Sequence, residues 1–333
     1  MQILVTGAAG FIGSACAAFF ADQGFHVIAT DNFSSYYSAE LKRMRKEVLL
    51  NHPKIDFVEC DISNSDLVNQ LFAKTKYKTV IHLAAQAGVR LSLENWGDYS
   101  RDNLQAFTNI LMNSAKHGIN NFIYASSSSV YGNRHKERYA ESESFLKPVS
   151  FYGASKLANE ILATSTSSAT GLKTRGLRFF TVYGPWGRPD MVYFRMVASA
   201  LTREPFNFFG DGTLERDFTY ISDVVAMILE LENELSTRSE GYADVVNIGG
   251  GQPRSINQIL EIVEKIAGIE VPYHRFEANK SDVQRTSADF TYLNSLINAY
   301  PKVRAEDGLE KFYEWASQFE IRGNLSNWVR SVN

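Results

Sequence analysis

Cysteine is nearly absent. Cys16 and Cys60 are the only two in 333 residues, too few for a disulfide framework or a zinc site. Both fall among apolar neighbours and are expected as buried thiols of a reducing compartment. The six histidines are scattered, with no pair at metal-ligand spacing, so no metal is expected. Long apolar runs are missing too: no stretch reaches membrane-spanning length and no signal-peptide pattern precedes the first strand. A cytoplasmic protein is expected. Neither sign of charge dominates, with 34 basic against 37 acidic residues, which removes the global field that recruits nucleic acid or anionic membrane. The densest basic cluster, Lys42-Arg43-Met44-Arg45-Lys46, lies in a helical pattern before Glu47 and is expected to be a solvated helix face. There is no internal repeat, low-complexity segment or Pro/Ser-rich linker.

Glycine, by contrast, is placed with purpose. In Gln2-Ile-Leu-Val-Thr-Gly-Ala-Ala-Gly-Phe-Ile-Gly13 a short apolar run is followed by Gly7, Gly10 and Gly13, and then by a small-residue helical pattern. Glycines in this context permit a tight turn, backbone approach to a pyrophosphate and close helix–strand packing. The helix start, with its free N–H groups and positive dipole end, receives the phosphates. A second strand ends at Asp31, an acid at the distance where a ribose 2′-hydroxyl is held. Its charge repels a 2′-phosphate, which favours NAD over NADP.

Candidate strands (3–6, 27–30, 55–60, 79–83, 121–125, 173–179) alternate with helical patterns at 11–23, 38–50, 64–75, 96–117 and 151–169. The rhythm predicts an α/β fold, a Rossmann-type doubly wound parallel sheet with helices on both faces. Beyond residue 180 glycine and proline punctuate short scattered strands. The chain therefore reads as an NAD-binding domain over 1–180 and a smaller substrate lobe over 181–333, with some segments returning to the core.

A second signal is Tyr152-Gly-Ala-Ser-Lys156. Four-residue spacing puts phenol and ammonium on one helix face, where the cation, aided by a nicotinamide's positive charge, is expected to stabilise phenolate and lower the tyrosine pKa. Such a tyrosine exchanges a sugar-hydroxyl proton. Ala125-Ser-Ser-Ser-Ser-Val-Tyr-Gly132 brings hydroxyls to the end of the fifth strand, facing the same cleft. A Tyr-x-x-x-Lys pair alone arises by chance on many helices; joined to the glycine turn and the serine-rich strand end it carries weight.

Together these segments resemble the extended short-chain dehydrogenase/reductases that act on nucleotide sugars (the NAD-dependent epimerase/dehydratase family). Thr6–Gly13, Asp31-Asn32, Asp61-Ile62, His82–Ala85, Asn103, Ser126–Gly132, Tyr152–Lys156 and Arg216-Asp-Phe-Thr-Tyr220 follow in order over nearly the whole chain. Within it, Ala85–Arg90, Ser92–Asn95, Asp31–Tyr37 and Phe179–Met191 are most similar to the UDP-glucuronate 4-epimerases. The resemblance implies Ser127, Tyr152 and Lys156 as catalytic groups. It implies NAD contacts from Gly7, Ala9, Gly10, Phe11, Ile12, Gly13, Asp31, Asn32, Asp61, Ile62, Leu83, Ala84, Ala85, Gln86, Asn103 and Phe179, besides Tyr152 and Lys156. It further implies Arg90, Ser127, Ser128, Ser129, Tyr152 and Thr181 around the sugar, and Arg188, Arg195, Arg216 and Arg285 for the UDP moiety, since arginine forks suit phosphate. Arg195 and Arg285 fit surface or core pairing equally well.

The implied reaction is transient oxidation at C4 by tightly held NAD, regenerated in each turnover, which converts UDP-glucuronate to UDP-galacturonate. A homodimer through the helices near 96–117 and 151–169 is implied as well, although ordinary core packing accounts for their apolar stripes equally. Rival readings differ by residue. A 4,6-dehydratase carries an Asp-Glu pair where Ser127-Ser-Ser-Val130 stands, and decarboxylases carry other residues around Tyr152–Lys156. Neutral-sugar epimerases, including the N-acetyl forms, tend to place Asn at the position of Thr181. A non-catalytic NAD sensor has no need of Ser127, Tyr152 and Lys156. His82 is expected as a satisfied core histidine, Tyr131 as a packing residue and Glu160 as a solvated helix residue. The segment 96–108 is the least typical of the family.

Overall fold

The computed structural model describes residues 2–89, 92–133, 137–278, 283–298 and 300–332. In chain order, its first half comprises β1 (Gln2–Thr6), α1 (Phe11–Asp22), β2 (His26–Asp31), α2 (Ala39–Leu49), β3 (Ile55–Glu59), α3 (Ser65–Lys74), β4 (Thr79–His82), α4 (Trp96–Tyr99), α5 (Ala106–Lys116), β5 (Asn121–Ser127), α6 (Phe151–Thr170) and β6 (Lys173–Phe179). The second half adds β7 (Thr181–Tyr183), α7 (Val192–Thr202), β8 (Phe206–Phe209), β9 (Glu215–Tyr220), α8 (Ile221–Ser236), β10 (Ala243–Ile248), β11 (Pro253–Ser255), α9 (Ile256–Ala267), β12 (Tyr273–Phe276) and short C-terminal helices.

Strands buried on both faces need unbroken apolar runs, and Ile3, Leu4 and Val5 of β1 and Val80 and Ile81 of β4 are completely buried. Seven parallel strands form the central sheet in the order β10–β6–β5–β4–β1–β2–β3. Strand order reverses between β1 and β4, and this is the switch point where doubly wound sheets open a crevice at their carboxyl ends. Thr6 sits there, in register with Thr30 of β2 and His82 of β4. The outermost strand, β10, comes from far along the chain and pairs with β6. The remaining strands make a three-stranded sheet, β11–β9–β7, and a two-stranded one, β12–β8.

Several expected elements change in detail. β5 runs on to Ser127 rather than stopping at Ala125. The helix expected over 96–117 is interrupted by a π-helical stretch at Ser100–Gln105, a distortion often found beside functional sites. The basic run on α2 is not a solvated face. Arg43 and Lys46 are exposed, but Lys42 is nearly buried and Arg45 completely so. Arg45 stands four residues from both Leu41 and Leu49, on the inward stripe of the helix. Glu160 is buried too, ion-paired with Arg178. His82 conforms to expectation: its ring is buried, contacts the Thr6 hydroxyl at 2.8 Å and packs on Phe107 and Phe122.

Candidate active site

The glycine turn is built by close approach. Gly7 adopts φ +69°, and a Cβ there would lie 2.6 Å from the Ala84 nitrogen. A Cβ on Gly13 would lie 2.0 Å from the Gly7 carbonyl oxygen, so only glycine lets α1 start this near β1. Ala9 N–H donates to Asp31 at 3.0 Å and Phe33 N–H donates to its other oxygen at 2.8 Å, which fixes the carboxylate at the end of β2. The turn leaves a backbone-lined hollow at the N-terminus of α1, the cradle a dinucleotide pyrophosphate requires.

That hollow is one end of a cleft of about 980 Å³ running along the carboxyl ends of the strands. Gly7, Gly10, Phe11, Ile12 and Gly13 line it, as do Asp31, Asn32, Asp61 and Ile62 on one side. Leu83, Ala84, Ala85, Gln86 and Phe179 line it too, together with Ser127, Ser128, Ser129, Tyr152 and Lys156. Thr181, Arg188, Arg195 and Arg216 also line the cleft. Three expected residues stand elsewhere. Ala9 is buried beneath the turn. Asn103, buried in the π-helical stretch, holds Gln86 by accepting from its N–H (2.8 Å) and donating to its carbonyl (3.1 Å). Arg285 is half exposed off the cleft and ion-paired with Glu215 at 3.2 Å. Arg90 lies outside the described residues.

Ser150 caps α6 by accepting from Gly153 N–H, which places Tyr152 in the first turn and Lys156 one turn further in. Ser127 in turn caps the single turn that follows β5, accepting from Ser129 N–H at 3.1 Å. Its hydroxyl also acts on the Tyr152 phenol, holding back the rise in that group's pKa. Lys156 is buried and donates to the Ala125 carbonyl at 2.9 Å. Burial lowers its pKa to about 7, and burial likewise raises that of Tyr152, opposed by the Ser127 hydroxyl and the Arg188 charge. Among the chain's own groups desolvation dominates at both Tyr152 and Lys156, and Ser127 and Arg188 supply the pull that opposes it at Tyr152.

Other wall residues escaped sequence reading. Tyr36 stands over the cleft with burial raising its pKa to about 12, and the Arg188 guanidinium lies 5.9 Å from its ring centre. Asp190 pairs with Arg188, and Asn207, Phe208 and Phe209 of β8 also line the cleft. The Phe179–Met191 motif contained Asp190; nothing local marked the strand β8.

A parallel doubly wound sheet, a glycine cradle at its switch point and a Ser–Tyr–Lys set in the same cleft define an NAD-binding enzyme of the short-chain dehydrogenase/reductase type. The family described as NAD dependent epimerase/dehydratase matches residues 3–249, and the chain belongs to it. It is 36% identical over 316 residues to a UDP-glucuronate 4-epimerase of Thermodesulfobacterium geofontis, covering 95% of this chain and 96% of that one. Among solved structures it is similar to UDP-glucuronic acid 4-epimerase from Bacillus cereus in complex with UDP-glucuronic acid and NAD, with TM-score 0.87, 35% identity and coverage of 95% and 98%. A UDP-glucose 4-epimerase from Thermotoga maritima superposes almost as well, with TM-score 0.85, 30% identity and the same coverages. Fold likeness thus does not discriminate the sugar, and the cleft residues must.

Proposed function

We propose that this enzyme inverts C4 of UDP-glucuronate to give UDP-galacturonate. The observation that carries the reading is the set Ser127, Ser128, Ser129 and Thr181 around Tyr152 in one cleft with the glycine cradle and Arg188. Hydroxyl donors suit a C5 carboxylate, and arginine suits a diphosphate. When bound, NAD supplies a hydride acceptor that becomes the donor once the 4-keto sugar has turned its other face. Tyr152 takes the C4 hydroxyl proton and later returns it, and Ser127, whose hydroxyl acts on the phenol, relays that proton. Lys156 would hold the nicotinamide ribose. Ser128, Ser129 and Thr181 would fix the plane of the carboxylate, because the 4-keto uronate is a β-keto acid and decarboxylates if its C–C bond aligns with the ketone.

The test is incubation of purified protein with UDP-glucuronate and resolution of the products. UDP-galacturonate with little UDP-pentose is expected. No conversion refutes the reading, and dominant pentose makes the enzyme a decarboxylase. A Thr181→Val variant that leaves both turnover and pentose yield unchanged refutes the carboxylate role.

The same reading assigns residues 1–180 to NAD and 181–333 mainly to the nucleotide sugar. It makes the protein cytoplasmic and a homodimer through α5 and α6, where Met112, Ile161 and Leu162 remain exposed. Sedimentation of a monomer at micromolar concentration refutes the dimer. Among the described residues no helix is long and apolar enough to cross a membrane.

A further inference from the structure

Arg45 has no part in the reaction as proposed, yet it is completely buried in α2. Each of its five N–H groups finds an acceptor, and none of these is a carboxylate. Nη1 donates to the Ala9 carbonyl at 3.1 Å and to the Tyr37 hydroxyl at 2.6 Å. Nη2 donates to the carbonyls of Trp186 at 2.7 Å and Gly187 at 3.0 Å, and Nε donates to Trp186 again at 3.0 Å. Its guanidinium carbon lies 5.3 Å from the centre of the Tyr37 ring. A buried cation is costly unless fully hydrogen-bonded, so the site is built around this fork.

The acceptors come from two segments remote in the chain. Ala9 lies in the glycine turn, and its own N–H bonds Asp31. Trp186 and Gly187 come immediately before Arg188, which lines the cleft. Trp186 adopts φ +63°, a left-handed conformation that a bulky residue keeps only where its surroundings impose it. The three bonds from Arg45 to Trp186 and Gly187 impose it from one side, and the packing of Trp186 on Trp315 from the other.

We propose that Arg45 is a positioning residue for the substrate diphosphate: it ties the 184–188 loop to the glycine turn and thereby sets the distance between Arg188 and the cofactor cradle. The inference rests on the reading that Arg188 meets the diphosphate. Lysine cannot replace it in full, because an ammonium has three donors and no planar fork to span two segments.

The test is a double-mutant cycle read as UDP affinity, by calorimetric titration of the NAD-loaded enzyme. Arg45→Met is expected to weaken UDP binding about tenfold when Arg188 is present and less than about twofold in an Arg188→Met background. Arg45→Lys, which keeps the charge and takes the place of Arg45→Met if that variant does not fold, is expected to fall between. An equal loss in both backgrounds, or no loss in either, overturns the inference, since a merely structural arginine acts independently of Arg188. If Arg188→Met alone leaves UDP affinity unchanged, the diphosphate reading falls and this inference with it. The cycle reads binding only, so the coupling it measures is decisive even if the wild-type protein fails to turn over UDP-glucuronate.

Discussion

Replacing Glu160 by glutamine leaves the Arg178 guanidinium buried without its counter-charge. The pair lies beneath the serine-rich strand end, with side chains 7% and 4% exposed. Arg178 donates to both carboxylate oxygens, at 2.9 and 2.8 Å, and to the Tyr131 hydroxyl at 2.9 Å. Ser126, next to Ser127, donates to Glu160 at 2.5 Å. Removing one partner of such a pair costs about 3–5 kcal/mol, because the other charge stays in a medium that cannot solvate it. With an unfolding entropy of about 2.1 cal/mol/K per residue, that lowers the melting temperature of a chain this long by about 4–7 °C. The assay is thermal unfolding followed by circular dichroism at saturating NAD, for wild type, Glu160→Gln, Arg178→Met and the Glu160→Leu/Arg178→Met pair. The paired variant should regain most of the loss, since exchanging both ions for apolar groups removes the uncompensated charge. A Glu160→Gln protein melting within about 1 °C of wild type would refute the reasoning. So would a paired variant losing as much as both single variants combined.

Tyr152→Phe should lower kcat by roughly 10²–10⁴-fold while UDP affinity is retained, because the phenol moves a proton and does not hold the diphosphate; loss of UDP binding as well would count against that assignment. Burial, with a smaller push from Lys156, holds the His82 pKa at about 3, well below its ordinary value near 6.5. Between those values the unfolded chain binds the extra proton, so stability present above pH 6.5 is lost as pH falls towards 3. His82→Asn should flatten the decline in melting temperature between pH 6 and 4, and an equally steep decline would refute the idea. Gly13→Ala drives a methyl into the Gly7 carbonyl, and co-purified NAD, measured after denaturation, should fall severalfold; full retention would show that the cradle adapts.

Features marked by residue type and spacing were legible in the residues themselves. The glycine turn, Asp31 and the Tyr152–Lys156 pair carry such patterns, and the apolar rhythm marked six of the seven central strands. The departures share one cause. Glu160 and Arg45 are charged residues on amphipathic helices, where exposure is the ordinary expectation, and each is buried by partners remote in the chain: Arg178 for the first, Trp186 and Gly187 for the second. Asn103 carried a family motif, but its reach to Gln86 rather than into the cleft follows from the π-helical stretch.

A dinucleotide cradle is written in one short run of residues, and the Tyr152–Lys156 pair and the serine-rich end of β5 in two others, so the amino-acid order suffices to show that one chain holds all three. How those runs face one another was settled only by the packing of the folded chain. Packing placed desolvation above the lysine charge in setting Tyr152, put a buried ion pair under Ser126, and used one guanidinium to join the cradle to the Arg188 loop. Burial and long-range hydrogen bonds are properties of what packs around a residue, and no local pattern encodes them.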